Sequence, residues 1–96
     1  MPTSLRLIWT NTALADLQRL RSFIAQHNPQ AAQRTALAIK QAANCLLDHP
    51  ELGKPLDGRE DRELVIPFGQ RGYVLRYRLH GNAIVILKLW HGLEDR

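Results

Sequence analysis

The chain has 96 residues, 45% of them hydrophobic and 23% charged, with a net charge of +4. That length suits one domain and not two, with a core that needs no disulfide or metal staple. No apolar run approaches the ~20 residues of a membrane span, and "MPTSLRLIW" lacks a signal peptide's charged start and long apolar segment, so a cytoplasmic protein is expected. The single cysteine, Cys45, excludes an intrachain disulfide. In "AANCLL" it reads as a small buried hydrophobe and not as a nucleophile. No metal site or cofactor is expected. His27, His49 and His80 fall in separate turns, and no Gly-x-Gly-x-x-Gly or Walker-type Gly-Lys-Ser/Thr occurs.

The placement of charge says more than its sum. Residues 17 to 47 carry Arg19, Arg21, Arg34 and Lys40 without a carboxylate, and residues 64 to 93 carry Arg71, Arg76, Arg78 and Lys88, again without one. The acids gather at 48–63 and near the end. Two acid-free zones point to an anionic partner, either nucleic acid or an acidic protein segment.

In chain order, "LRLIW" (5–9) alternates and reads as a first strand. "TNT" (10–12) supplies N-cap candidates, with Asp16 near the positive end of the helix that follows. Ala13, Leu14, Leu17, Leu20 and Ile24 recur at helical spacing and predict an amphipathic helix ending near "QHN". Asn28-Pro29 restarts the pattern as N-cap and first helical residue. Ala32, Ala36, Ile39, Ala43 and Leu46 then form one face of a second helix, which Pro50 ends near Asp48. So short a connection makes the pair an antiparallel helical hairpin, in which Leu17 and Ile39 should meet.

"HPELGKPLDGRED" (49–61) reads as a surface loop. "RELVIPF" (62–68) is a second strand that Pro67 ends early or confines to an edge. "GYVLRYRL" (72–79) and "AIVILKLWH" (83–91) are two more strands, joined by a two-residue turn at Gly81-Asn82. That turn sets Leu79 opposite Ile84, Tyr77 opposite Ile86 and Tyr73 opposite Trp90. On the other face it sets Arg78 opposite Val85, Arg76 opposite Leu87, Val74 opposite Leu89, and Gly72 opposite His91. Trp90 then belongs to the core, Lys88 shares its face, and His91 shares the face of Arg76. The last strand is apolar on both faces and should be central. The order β-α-α-β-β-β predicts an α+β fold, with the N-terminal helical hairpin packed on a small, mainly antiparallel sheet.

With that order in place, "ALADLQRLRSFIAQHNPQAA", "LLDHPELGKPL", "RELVI", "GYVLRYRL" and "VILKLWHGLED" resemble the RelE/ParE superfamily of bacterial toxins along nearly the whole chain. The resemblance implies a single toxin domain over residues 1–96, the toxin of a type II toxin–antitoxin module. Such a protein arrests growth and forms a hetero-oligomer with a cognate antitoxin that neutralises it. RelE-like members cut mRNA on the ribosome, whereas ParE-like members poison DNA gyrase. In the nucleases an arginine stands where this chain has Val74, and valine can neither pair with a phosphate nor donate a proton. The ending "WHGLED" is also closer to ParE, where His-x-x-x-Asp is a frequent close. The ParE-like reading is therefore favoured. A ribosome-dependent endonuclease with a shifted site at Arg62, Arg76 and His91 stays open, as does a non-toxic relative that only pairs with an antitoxin. In the favoured reading, Arg71, Arg76, Arg78, Lys88 and His91 form a surface for antitoxin or target. The alternative for the two strand arginines is pairing with Glu60, Asp61 or Glu63.

Overall fold

A computed structural model describes residues 5–67 and 72–92. Its elements are β1 (Arg6–Trp9), α1 (Asn11–Ala25), α2 (Pro29–Cys45), β2 (Lys54–Pro55), β3 (Arg62–Ile66), β4 (Tyr73–His80) and β5 (Ala83–His91). The five strands form one sheet in the order β1-β5-β4-β3-β2. Only β1 runs parallel to its neighbour, and the other pairs are antiparallel. The fold is α+β in the predicted order, with β5 inside the sheet, flanked by β1 and β4. The segment expected to be loop alone contributes a short edge strand, β2, paired with β3.

Both helices start on side chains that take up free backbone N–H groups. The Thr10 hydroxyl accepts from the Ala13 N–H and the Asn28 side chain from the Ala31 N–H, with Pro29 following at the first turn. The helical stripes bury Ala13, Leu17 and Leu20 on α1, and Ala32, Ala36, Ile39 and Ala43 on α2. All of these but Ala32 meet Leu46, Ile66, Tyr73, Leu75, Tyr77, Ile84, Ile86 and Leu89 in one core. Leu14, expected on the buried stripe, is half exposed. Cys45 is also exposed, contrary to expectation. It lies off the Ala36–Ile39–Ala43–Leu46 stripe, and its place at the helix end turns it to solvent.

The terminal hairpin departs from the expected register. Gly81 takes a positive φ of 59° at the first central turn position, the pattern of a type II′ turn that glycine alone adopts without strain. Leu79 with Ile84, Arg78 with Val85 and Tyr77 with Ile86 pair as predicted. An irregularity follows: Leu87 is an extra residue, so Arg76 meets Lys88, Leu75 meets Leu89, Val74 meets Trp90 and Tyr73 meets His91. Strict alternation from Ile84 and Ile86 carries Lys88 and Trp90 toward the helices. The bulge sends fully buried Leu89 there instead and leaves the Lys88 ammonium in water, avoiding the cost of burying an unpaired charge.

The first turns of α1 hold this bulge. β1 ends at Trp9, and beyond it side chains of the helix satisfy the open side of β5. The Thr10 hydroxyl donates to the Leu87 carbonyl (3.2 Å), and the Leu89 N–H donates to the Asp16 carboxylate (3.0 Å). Asp16 thus binds a strand amide as well as its neighbour Arg19.

Candidate functional site

Strand alternation gives the sheet a helix side and an outer side. Three rows cross the outer side of β3, β4 and β5: Val65, Val74 and Trp90; then Glu63, Arg76 and Lys88; then Asp61, just ahead of β3, with Arg78 and Val85. The Arg76 guanidinium grips the Glu63 carboxylate at 2.7 and 3.1 Å. It also lies 4.8 Å from the centre of the Trp90 ring, with the Lys88 ammonium at 5.8 Å. The ring's negative face thus receives two cations. Trp90 is therefore half-buried on the outer side and not in the core, and Lys88 accompanies it there without reaching toward the helix layer. The bulge accounts for both corrections.

Asp61 is the buried charge of this surface, with a side chain fully shielded from solvent. Arg59 donates to one carboxylate oxygen at 2.6 Å and Arg78 to the other at 2.7 Å. Burial alone pushes the carboxyl up. The two arginine hydrogen bonds and their positive charges outweigh that push and hold it below the ordinary aspartate value. Around these groups Thr10, Thr12, Leu87 and Lys88 complete an open depression of about 540 Å³. It is too shallow to enclose a small molecule, but a segment of another chain can lie across it.

The cations expected to act together divide between the two sides. Arg76, Arg78 and Lys88 converge on the outer depression. Arg62 pairs with Tyr77 on the helix side and donates to the Gly53 carbonyl (2.8 Å) and the Glu51 carbonyl (3.2 Å). His91 is also on the helix side, edge-on to the Tyr73 ring at 5.4 Å, and not on the face of Arg76. Arg62, Arg76 and His91 therefore do not surround one point. Arg71 lies outside the described residues. Pairing of the strand arginines, the alternative left open by the sequence, is what the geometry contains: Arg76 takes Glu63 and Arg78 takes Asp61. Glu60 makes no ion pair among the described residues. The period of two in "DRE" opposite "RYR" carried this signal, since Asp61 and Glu63 share one face.

Tyr77 has a structural task that the sequence did not announce. Its hydroxyl is buried, accepting from the Gly53 N–H and donating to the Pro50 carbonyl, each at 2.8 Å. Burial raises its pKa. A side chain on Gly53 has no room, because its Cβ falls 2.6 Å from the Tyr77 ring. Together with Arg62, Tyr77 fastens the segment after α2 onto the sheet. Among the described residues no group of three or more His, Cys, Asp or Glu side chains could hold a metal ion. No helix among them is long and apolar enough to cross a membrane.

Comparison with known proteins agrees with this architecture. The family described as the ParE toxin of the type II toxin–antitoxin system parDE matches residues 7–96. The chain belongs to this family, and so to the RelE/ParE superfamily. Toxin RelE1 of Caulobacter vibrioides is 39% identical over 84 residues, which cover 88% of this chain and 89% of the relative. Among solved structures, a chain of the chromosomal ParDE toxin–antitoxin system of P. aeruginosa shares the fold with a TM-score of 0.75 at 22% identity, covering 92% of this chain and 96% of that one. A chain of the RelBE2 toxin–antitoxin complex of Mycobacterium tuberculosis has a TM-score of 0.62 at 25% identity, over 93% of this chain and 99% of the other.

Proposed function

We propose that this toxin arrests growth as a ParE-type poison of DNA gyrase, acting in the cytoplasm through protein contacts and without chemistry of its own. The observation that carries the reading is one position on the outer face. Val74 is only 7% exposed, and by the resemblance to the superfamily it stands where the nuclease branch has an arginine. RNA transesterification needs a base for the 2′-hydroxyl, a cation at the scissile phosphate and an acid for the leaving oxygen. Arg62, Arg76 and His91 lie on different sides of the sheet, which supports a docking surface over an active site. The ribosome-dependent endonuclease is the second reading, and the name of the Caulobacter relative favours it.

In the same proposal a cognate antitoxin binds as a separate chain and neutralises the toxin in a hetero-oligomer. Family membership supports this, as do the two toxin–antitoxin systems that share the fold. An acidic, partly apolar segment of the antitoxin folds across Arg76, Arg78, Lys88 and Trp90, losing entropy on ordering but covering a broad surface.

The test is purified wild-type protein on programmed ribosomes beside supercoiled DNA with gyrase. Gyrase-dependent double-strand breaks with intact mRNA are expected. Robust cleavage in the ribosomal A site, abolished by His91→Ala or Arg76→Ala, overturns the gyrase reading.

A further inference from the structure

The outer face sets Arg59, Arg76, Arg78 and Lys88 against Asp61 and Glu63, a net +2, yet the larger net charge lies elsewhere. Its Arg59, Arg76 and Arg78 are all bound to carboxylates. Residues 11–46, which make up the helical hairpin, hold four cations against one carboxylate, a net +3 of the chain's +4. That carboxylate, Asp16, is engaged by Arg19 and the Leu89 N–H. Arg21, Arg34 and Lys40 are exposed, and no described carboxylate reaches them.

All three side chains are exposed, Arg21 on α1 and Arg34 and Lys40 on α2. Arg21 lines an open cleft between the helices with Gln18, Ser22 and Gln33. Arg34 follows Gln33 on α2 and points to solvent. Lys40 stands about 10 Å along α2 from Gln33, at a rise of 1.5 Å per residue, and borders a second opening, lined also by Leu14 and Leu17 of α1 and by Leu7 and Trp9 of β1. The cleft at the Arg21 end thus combines a guanidinium with amide and hydroxyl groups that donate hydrogen bonds, and it has no acceptor-only side chain.

We propose that the exposed surface of the α1–α2 hairpin binds the phosphate backbone of a nucleic acid, separately from the protein-docking face across the sheet. Unpaired cations release condensed counterions when they meet phosphates, whereas cations already bound to carboxylates give up a partner first. Amide and hydroxyl donors suit phosphate oxygens and carry no preference for base sequence. The site does not depend on which cellular target is correct, since gyrase works on DNA and the ribosome is built on RNA.

The test is fluorescence anisotropy of the full chain with a labelled 20-base-pair DNA duplex and, in a second arm, an RNA duplex of the same length. For three phosphate contacts, raising salt from 50 to 200 mM should weaken binding about 40-fold. Arg21→Gln/Arg34→Gln/Lys40→Gln should lose at least about tenfold in affinity and most of that salt dependence. Arg59→Gln, on the outer face, should stay within about twofold of wild type. The three helix positions are exposed, so circular dichroism should report an unchanged fold, and the single Lys40→Gln variant serves if it does not. Binding to one arm only identifies the natural acid as DNA or RNA. The proposal is overturned if the wild type binds neither duplex at 50 mM salt, or if the triple variant binds as wild type does. Binding to a polyglutamate peptide but to neither duplex also overturns it, in favour of an acidic protein partner.

Discussion

On the helix side of the sheet, Leu75, Tyr77, Ile84, Ile86 and Leu89 are fully buried. One residue away along the same strands, Arg76, Arg78, Lys88 and Trp90 stay within reach of water. The helix side is held by apolar area and one satisfied hydroxyl. The outer side is held by ion pairs and a ring between cations, each of modest worth in water. The difference separates two jobs: stability rests on the first side, and the second is the surface proposed for recognition. Substitutions on the two sides should therefore move different measurements.

The largest effect belongs to the core. Ile39→Ala should cost about 2–5 kcal/mol and Leu17→Ala should fall in the same range toward its lower end, as it keeps slight exposure. Equilibrium denaturation measures both. Losses under about 0.5 kcal/mol for the pair would mean that the helix faces are misassigned.

Tyr77→Phe comes next. It removes the hydroxyl that serves the Gly53 N–H and the Pro50 carbonyl, so about 1–3 kcal/mol should be lost. Amide exchange at Gly53 should speed up well before the core strands respond, and uniform acceleration across the sheet would argue against a local clamp.

Asp61→Asn tests the outer side. The folded-state pKa of Asp61 is depressed, so its stabilisation is complete above the ordinary aspartate range and drains away as pH falls through the folded value. About 1–2 kcal/mol should separate variant and wild type at pH 7, discounted because both arginines are partly in water. The gap should close below about pH 4, and a pH-independent gap would assign the loss to packing.

The smallest changes are expected for recognition. Arg76→Ala and Arg78→Ala should each weaken the antitoxin complex by about 1 kcal/mol and reduce toxicity by degrees, and His91→Ala should leave toxicity largely intact at high expression. Unchanged affinity in both single variants and the double variant removes this surface from the docking proposal.

Much of the architecture was legible in local chemistry. The caps at Thr10 and Asn28, the apolar stripes of both helices and the turn at Gly81 are interactions among residues a few positions apart. The pairing of Arg76 with Glu63 and Arg78 with Asp61 was legible as an alternative, because period-two spacing places those acids on the arginine face. The positions of Trp90, Lys88 and His91 were not. A single extra residue in β5 reverses the faces of everything after it, and alternation counted from the turn cannot see it.

By itself the sequence determined the element order, the helical hairpin, the centrality of β5 and the toxin superfamily, because periodicity, caps and turns act over short stretches of chain. Tertiary structure alone decided which side chains share the outer face and which cations stay uncompensated. Those outcomes depend on α1 closing the open side of β5 through Thr10 and Asp16, and on the carboxylates at 61 and 63 reaching arginines across the sheet. Both are contacts between residues far apart in the chain, whose partners exist only once the sheet has formed.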